Sequence, residues 1–356
     1  MAGNVQSRLK ADSLGCRFLL LHVFFIAAVA TADQPDLSGT YDVGTLTPLQ
    51  RPQAFGNNLY LTPEQAGKMA SRVAAMLDND ARASDPDRGA PPKGKFTNGY
   101  NLFWVDFGST AISLDGRFRT SLITSPADGR IPQMTRQGVE RMAGLLNSWQ
   151  IVWRNPDPTT SKNGSTAWWL DDGSPDGPYD HMEQRPLAER CVIGSRSTAG
   201  PPMLPNVYNN HKRVVQTKDA VVILTEMNHD ARVIRMNATH RPGHIKTWLG
   251  DSIGRWEGDV LVVDTTNFKS TPALSGADEN LHVVEHLRRI DARTLLYSFQ
   301  IEDPTVWSSA WGGEYPWRAS TGKVYEFACH EGNYAMPNVM SGARTLEKAR
   351  LPKTSS

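Results

Sequence analysis

Two glutamates and one histidine have the most to offer chemically. Side chains on a strand alternate between faces, and in Ala220 to Met227 (AVVILTEM) Glu226 shares a face with Val222 and Leu224. In Leu281 to Ile290, Glu285 likewise shares one with Leu281, Val283 and Leu287. A carboxylate on an apolar face that lines an interior is desolvated, which raises its pKa and prepares it as a general acid. The same placement also suits a buried ion pair, with Arg232 or Arg288 as partner. His240 and His244 flank Arg241-Pro242-Gly243, which can form a tight loop between them. No Cys or third His at metal-motif spacing accompanies them, so no metal or other cofactor is expected, and they suit the role of base or ligand contact. His282 and His286 lie four apart on the face opposite Glu285, about 13 Å from each other, too far for one metal to bridge.

Trp248 and Trp256 follow the histidine loop and offer flat surface for a substrate to stack on. A second polar cluster is ACHEGNY, where His330, Glu331 and Asn333 follow Cys329. The chain carries no G-x-S-x-G elbow, phosphate-binding Gly-rich loop, dinucleotide fingerprint or H-E-x-x-H helix. Those absences argue against a nucleotide enzyme or an ordinary serine hydrolase.

Strands must position these groups. Arg255 and Trp256 lead through Glu257-Gly258-Asp259 into Val260-Leu261-Val262-Val263, a hairpin whose Gly supplies the positive φ of the turn. Further strands are expected at Leu37–Tyr41, Tyr100–Phe107, Ala111–Leu114, Arg117–Ile123, His211–Gln216, Ala220–Met227, Ala231–Met236, Asn280–Ile290, Thr294–Glu302 and Lys323–Cys329. Thr62-Pro63-Glu64-Gln65 is a capping box with Pro at the first helical position, opening a helix to about Leu77, and Thr135 opens a second to Asn147. Residues 155–205, rich in Pro, Gly, Asp and Ser, read as a long strap that carries Trp168 and Trp169. The fold expected is mainly β: an antiparallel, calycin-like barrel with two short N-terminal helices and the strap, a β-sandwich being the runner-up. Residues 33–99 form an N-terminal extension with its helix, and 100–356 the β-rich domain.

Arg8, Lys10 and Arg17 precede the apolar run Phe18 to Ala30, and Ala30-Thr31-Ala32 fits a signal cleavage site, so residues 1–32 read as a signal peptide. Its loss leaves 35 Lys and Arg against 36 Asp and Glu, a balance that recommends neither nucleic acid nor an anionic membrane as partner. No other apolar stretch reaches bilayer length, so no stable membrane insertion is expected after cleavage. Cys191 and Cys329 then remain, and in an oxidising compartment a pair is best read as a disulfide.

GRWEGDVLVVDTTNF, LHVVEHLRRIDARTLLYSFQIEDPTVW and YEFACHEGNYAMPNVMSGAR, with YNLFWVDFG, RTSLITSPADGRIPQMT and RPLAERCVIG before them, resemble a large family of exported, uncharacterised bacterial proteins. The likeness runs from about Tyr100 to Arg344; Val260 departs from it, where the family carries Thr. It implies export and one co-folding unit, and brings no reaction, cofactor or catalytic residue. The expectation is therefore a periplasmic or secreted protein acting on a small molecule. An acid/base hydrolase, lyase or isomerase would use Glu226, Glu285 and His240, with Trp248, Trp256, His244, His330, Glu331 and Asn333 as ligand contacts. A non-catalytic carrier of an apolar or sugar-like ligand, or a structural envelope protein, remains open.

Overall fold

A computed structural model describes residues 34–83, 87, 89–90, 102, 105–143, 179, 182–194, 200–270 and 274–350. The leader, Tyr100, Asn101, Phe103 and Trp104, and Trp168 and Trp169 lie outside them, and no strand stands at the described residues of Tyr100–Phe107. The strands, in chain order, are β1 (Gly39–Asp42), β2 (Tyr60–Leu61), β3 (Ser113–Leu114), β4 (Arg117–Arg119), β5 (Ile123–Ser125), β6 (His211–Gln216) and β7 (Ala220–Thr225). They continue as β8 (Ala231–Met236), β9 (Asp251–Glu257), β10 (Val260–Thr266), β11 (His282–Asp291), β12 (Thr294–Glu302) and β13 (Trp311–Ala319). The large sheet runs β1-β6-β7-β8-β9-β10-β11-β12-β13, and pairing of β1 with β13 closes it into a nine-strand barrel. β5 adds itself to β13, while β2, β4 and β3 make a separate small sheet.

The barrel is mixed rather than purely antiparallel, because β8 and β9 run parallel. Parallel neighbours need a connection that returns the full length of the strand. Residues 237–250 make that return, which is why the loop bearing His240 and Trp248 lies against the barrel instead of capping a hairpin. The β9–β10 hairpin is as the sequence indicates, with Gly258 at φ 63° in its turn.

The strand expected at Leu37–Tyr41 is β1, a barrel stave with neighbours on both sides. Lys323–Cys329 is not a strand; the closing stave is Trp311–Ala319. That segment, WGGEYPWRA, hides its strand behind two glycines and a proline. The glycines answer to crowding: a Cβ on Gly312 would stand 2.3 Å from the Phe299 carbonyl oxygen, and one on Gly313 2.3 Å from that of Leu122.

Helix α1 (Pro63–Asp80) opens as expected, with the Gln65 amide donating to Thr62 Oγ1 at 3.2 Å and the Thr62 amide to Gln65 Oε1 at 2.9 Å. The second helix, α2, covers 136–143 of the described residues, and a third, α3 (Ala335–Arg350), follows the ACHEGNY segment, where the sequence reading placed no element. Cys191 and Cys329 are joined in a disulfide. It fastens the strap to the segment leading into α3.

The barrel interior is filled from the strap side. Pro201, Pro202, Met203 and Leu204 are buried just before the chain enters β6. Inside, Tyr297 stacks on Trp317 with centroids 4.9 Å apart and meets Tyr315 edge-on at 5.4 Å. The Met203 amide donates to Tyr297 Oη at 2.9 Å, and the Tyr315 hydroxyl donates to the Met203 carbonyl. These two bonds satisfy the backbone of a plug that sits in the core. Tyr297→Phe is expected to cost about 1–3 kcal/mol, because it leaves the Met203 N–H buried without an acceptor. Hydrogen exchange at that amide, faster in the variant while β9 and β10 amides are unchanged, would check it.

Candidate functional site

Glu285 points inward as the alternation requires and is fully buried. It meets Arg232, also buried, in a two-pronged ion pair: Nη1 donates to Oε1 at 2.9 Å and Nη2 to Oε2. The Tyr297 hydroxyl donates to Oε1 at 2.7 Å, and burial, then the Glu285 charge, push that hydroxyl well above its ordinary pKa, so it stays a donor. Arg232 is completed by Ser252 Oγ at 2.9 Å and Thr265 Oγ1 at 2.8 Å. With both oxygens already accepting, Glu285 has no place for a substrate proton; it is the polar centre of the core.

Glu226 needs a correction. The inward face of β7 is Val221, Ile223 and Thr225, so the face that Glu226 shares with Val222 and Leu224 is the outer one, and Glu226 follows the end of the strand with φ −63° and ψ −43°. It is buried outside the barrel bore. Its Oε2 lies 3.3 Å from His211 Nδ1 and accepts the His211 amide, and Oε1 accepts the Tyr325 amide at 3.1 Å. Burial pulls the Glu226 pKa up, but these hydrogen bonds outweigh it and leave the group below its ordinary value. His211 is raised, chiefly by its bond to Glu226. Neighbouring Lys212 is driven down to about 7 by burial, and Asp230 up to about 6 by the same cause.

The His211 shift fixes a sign. A histidine raised in the fold stabilises fully below its unfolded value of about 6.5, and the contribution is lost as pH rises through the folded value. Glu226, lowered in the fold, adds stability above the ordinary carboxylate range and loses it on acidification through its folded value. Between pH 6 and 9 wild type should lose on the order of 1 kcal/mol that His211→Gln does not lose. Urea midpoints of the two proteins across that range measure it.

His240 lies on the outer wall, not in the bore. Its Nδ1 is 3.0 Å from Asp251 Oδ2 and its Nε2 is 3.0 Å from Asp264 Oδ1. The same Asp264 oxygen is 3.2 Å from His282 Nε2, and His282 Nδ1 is 3.2 Å from Glu302 Oε1. Hydrogen bonding to Asp264 pushes His282 up to about 9, and the bond from His282 in turn holds Asp264 below its usual range. Asp251 also accepts Arg235 Nη2 at 2.9 Å and the Arg241 amide at 2.9 Å, and lies below its ordinary value despite burial, which acts in the opposite direction.

The other expected contacts do not converge. Trp248 carries Lys269 Nζ 4.3 Å above its ring, while Trp256 packs on the core next to the hairpin turn, at the far end of β9 from Asp251. His244, His330 and Glu331 are exposed. Asn333 Oδ1 accepts the Ala335 amide at 3.0 Å at the start of α3, and its Nδ2 donates to the Cys329 carbonyl at 3.0 Å, which makes it a cap.

A pocket of about 300 Å³ opens elsewhere on the outer wall, lined by Thr124, Ser125, His286, Ser298, Gln300 and Glu314 among others. In register, His286 faces Ser298 across β11–β12 and Ser298 faces Glu314 across β12–β13. Cross-strand partners stand about 5 Å apart at Cβ, so the hydroxyl lies between an imidazole and a carboxylate. Glu314 is held by Arg119 Nη2 at 2.9 Å. Among the described residues, the His286 ring, the Ser298 hydroxyl and the Gln300 amide have no hydrogen-bond partner. Sequence reasoning weighed His286 only as a metal ligand and passed over Ser298 and Glu314. Alternation in Thr294–Glu302 sets Ser298 and Gln300 opposite Leu295, Tyr297, Phe299 and Ile301, but Glu314 needed the unrecognised β13.

No helix among the described residues is long and apolar enough to cross a membrane. No family model matches the chain, and neither a curated protein nor a solved structure matches it.

Proposed function

We propose that this chain is an exported protein that takes a small, hydroxyl-bearing organic molecule into the outer-wall pocket and performs acid/base chemistry on it, with His286 moving the proton. One observation carries this reading: the pocket gathers polar side chains that satisfy nothing in the fold. Glu285 and Glu226 are already committed to partners, whereas the His286 ring, Ser298 and Gln300 have none among the described residues. Half-buried polar groups such as His286 and Ser298 are normally satisfied, and with the exposed Gln300 beside them in a concave pocket they suit a ligand. Ser298 and Gln300 would orient a hydroxyl, Glu314 would accept from it, and the His286 imidazole, which can both take and give a proton, suits proton transfer in a hydrolase, lyase or isomerase.

Export is supported by the basic and apolar leader and by the disulfide, and places the protein in the periplasm or outside the cell. A carrier of a sugar-like ligand is the second reading, favoured by the wholly polar character of the unpaired groups. Ligand-observed NMR of the mature protein with monosaccharides, hydroxy acids and their simple esters tests both. A bound compound lost on Ser298→Leu supports the pocket, and its conversion by wild type but not His286→Ala supports the enzyme. Binding that survives Ser298→Leu contradicts the assignment.

A further inference from the structure

At the end of the barrel where β6 begins, a histidine joins a carboxylate to a hydroxyl. β6 directs Lys212 and Val214 inward, so His211 faces out, and the Glu226 amide donates to the His211 carbonyl at 3.0 Å. Ser320, the first residue past β13, lies across β1 from them, its amide donating to the Thr40 carbonyl at 2.8 Å. His211 spans the two, with Nδ1 3.3 Å from Glu226 Oε2 and Nε2 3.2 Å from Ser320 Oγ. This is the order of groups that activates a serine: the carboxylate holds the Nδ1–H tautomer and leaves Nε2 to accept the hydroxyl proton. Glu226 is itself fixed by the Tyr325 amide, and its bond to His211 favours the imidazolium that forms when that proton arrives. Gly322 closes on the pair. A Cβ there would stand 2.7 Å from His211 Nε2 and 3.0 Å from Ser320 Oγ, so a side chain at that position would part them. The Gly322 amide donates to Ser320 Oγ at 3.0 Å, and the Thr321 amide has no partner among the described residues. Two successive N–H groups beside the hydroxyl are the donors that a developing oxyanion needs.

We propose that Ser320, His211 and Glu226 form a second, nucleophilic site that hydrolyses an uncharged carboxylic ester. It stands apart from the His286 pocket, which borders the opening residues of β13, Trp311 to Glu314, whereas Ser320 follows the other end of that strand. His211 is 18% exposed and Ser320 half-buried, so a substrate can reach both. Ser320 Oγ attacks the acyl carbon as its proton passes to His211 Nε2; the ester C–O bond breaks, and the leaving alcohol oxygen takes that proton. Water then attacks the acyl-serine and gives a proton to His211, which returns it to Ser320 Oγ as the carboxylic acid leaves. The charges that act on His211 are those of Asp42, Glu226 and Asp106, with Arg318 opposite Asp42 in register, and this acidic majority disfavours an anionic acyl group. A G-x-S-x-G elbow is absent because Arg318 stands at its first glycine, yet Ser320-Thr321-Gly322 keeps its second half. Geometry and roles, not the elbow, define such a triad.

An uncharged fluorophosphonate tests the site directly. The purified protein should take up one phosphonyl group, found on Ser320 by peptide mapping. Ser320→Ala should abolish labelling, His211→Gln should slow it by on the order of 1,000-fold, and His282→Gln should be labelled as wild type is. Glu226 acts through His211, so Glu226→Gln should slow labelling by about 10-fold or more and move the acid limb of the rate–pH profile to lower pH, since His211 loses the bond that raises it. Para-nitrophenyl acetate should be hydrolysed with the same pattern across the variants, and the para-nitrophenyl half-ester of succinate more slowly. Wild type that is not labelled, a label mapped to another residue, or labelling unchanged in His211→Gln overturns the proposal. So does a labelled Glu226→Gln protein whose acid limb stays in place, and a half-ester hydrolysed faster than the acetate overturns the uncharged class.

Discussion

Glu285→Gln is expected to lower the free energy of unfolding by about 3–5 kcal/mol, the cost of leaving a buried guanidinium without its counter-charge. Arg232 cannot move to water: it is held at 3% exposure between Ser252, Thr265 and Glu285, under a plug that depends on Tyr297. The amide offers one acceptor where the carboxylate offers two, and its NH2 faces Arg232 or Tyr297 as an unwanted donor. Replacing both partners, Arg232→Met with Glu285→Leu, should recover most of the loss, since no charge is then buried and Ser252 and Thr265 still bond each other at 3.0 Å. Urea unfolding of the three proteins measures this. A Glu285→Gln variant as stable as wild type would show that the pair is not the core's polar centre.

The strand alternation that exposed Glu285 also shows where sequence reasoning loses its grip. Leu281, Val283, Glu285 and Leu287 share the inward face because β11 continues unbroken past all four. Glu226 follows an equally apolar run, but Ala220 to Leu224 is apolar on both faces, and the pattern alone does not say that Val221, Ile223 and Thr225 face the bore while Val222, Leu224 and Glu226 face away from it. The nine-strand closure was legible as a class, while the parallel β8–β9 step was not: the 237–250 crossover has no helix to announce it. Its consequence was hidden too, because only the crossover brings His240 to Asp264 and His282. The pocket was legible on one wall alone, through Ser298 and Gln300. Its other wall belongs to β5 and β13, and the two glycines of β13 are demanded by backbone packing that no local pattern records.

The second large effect belongs to His286. His286→Ala should reduce turnover of a converted pocket ligand by about 100- to 10,000-fold, the range for loss of a positioned proton-transfer group. Stability should stay within about 0.5 kcal/mol of wild type, because the half-buried ring has no partner among the described residues to strand. That separation sets it apart from the interior groups. Substitutions at Glu285 and Tyr297 are expected to affect folding first and function only through it, whereas one at His286 is expected to affect function alone. A His286→Ala protein that is both fully active and fully stable would leave the pocket without a chemical role.

The central claim is that ligand chemistry sits on the outer wall and not in the barrel bore. Ring NMR of histidine-labelled wild type, titrated with the compound that binds most tightly among the monosaccharides, hydroxy acids and esters, tests it most directly. The His286 ring signals should move on binding while those of His211, His240 and His282 stay in place. A compound that binds and leaves His286 unmoved while shifting the others would contradict the account.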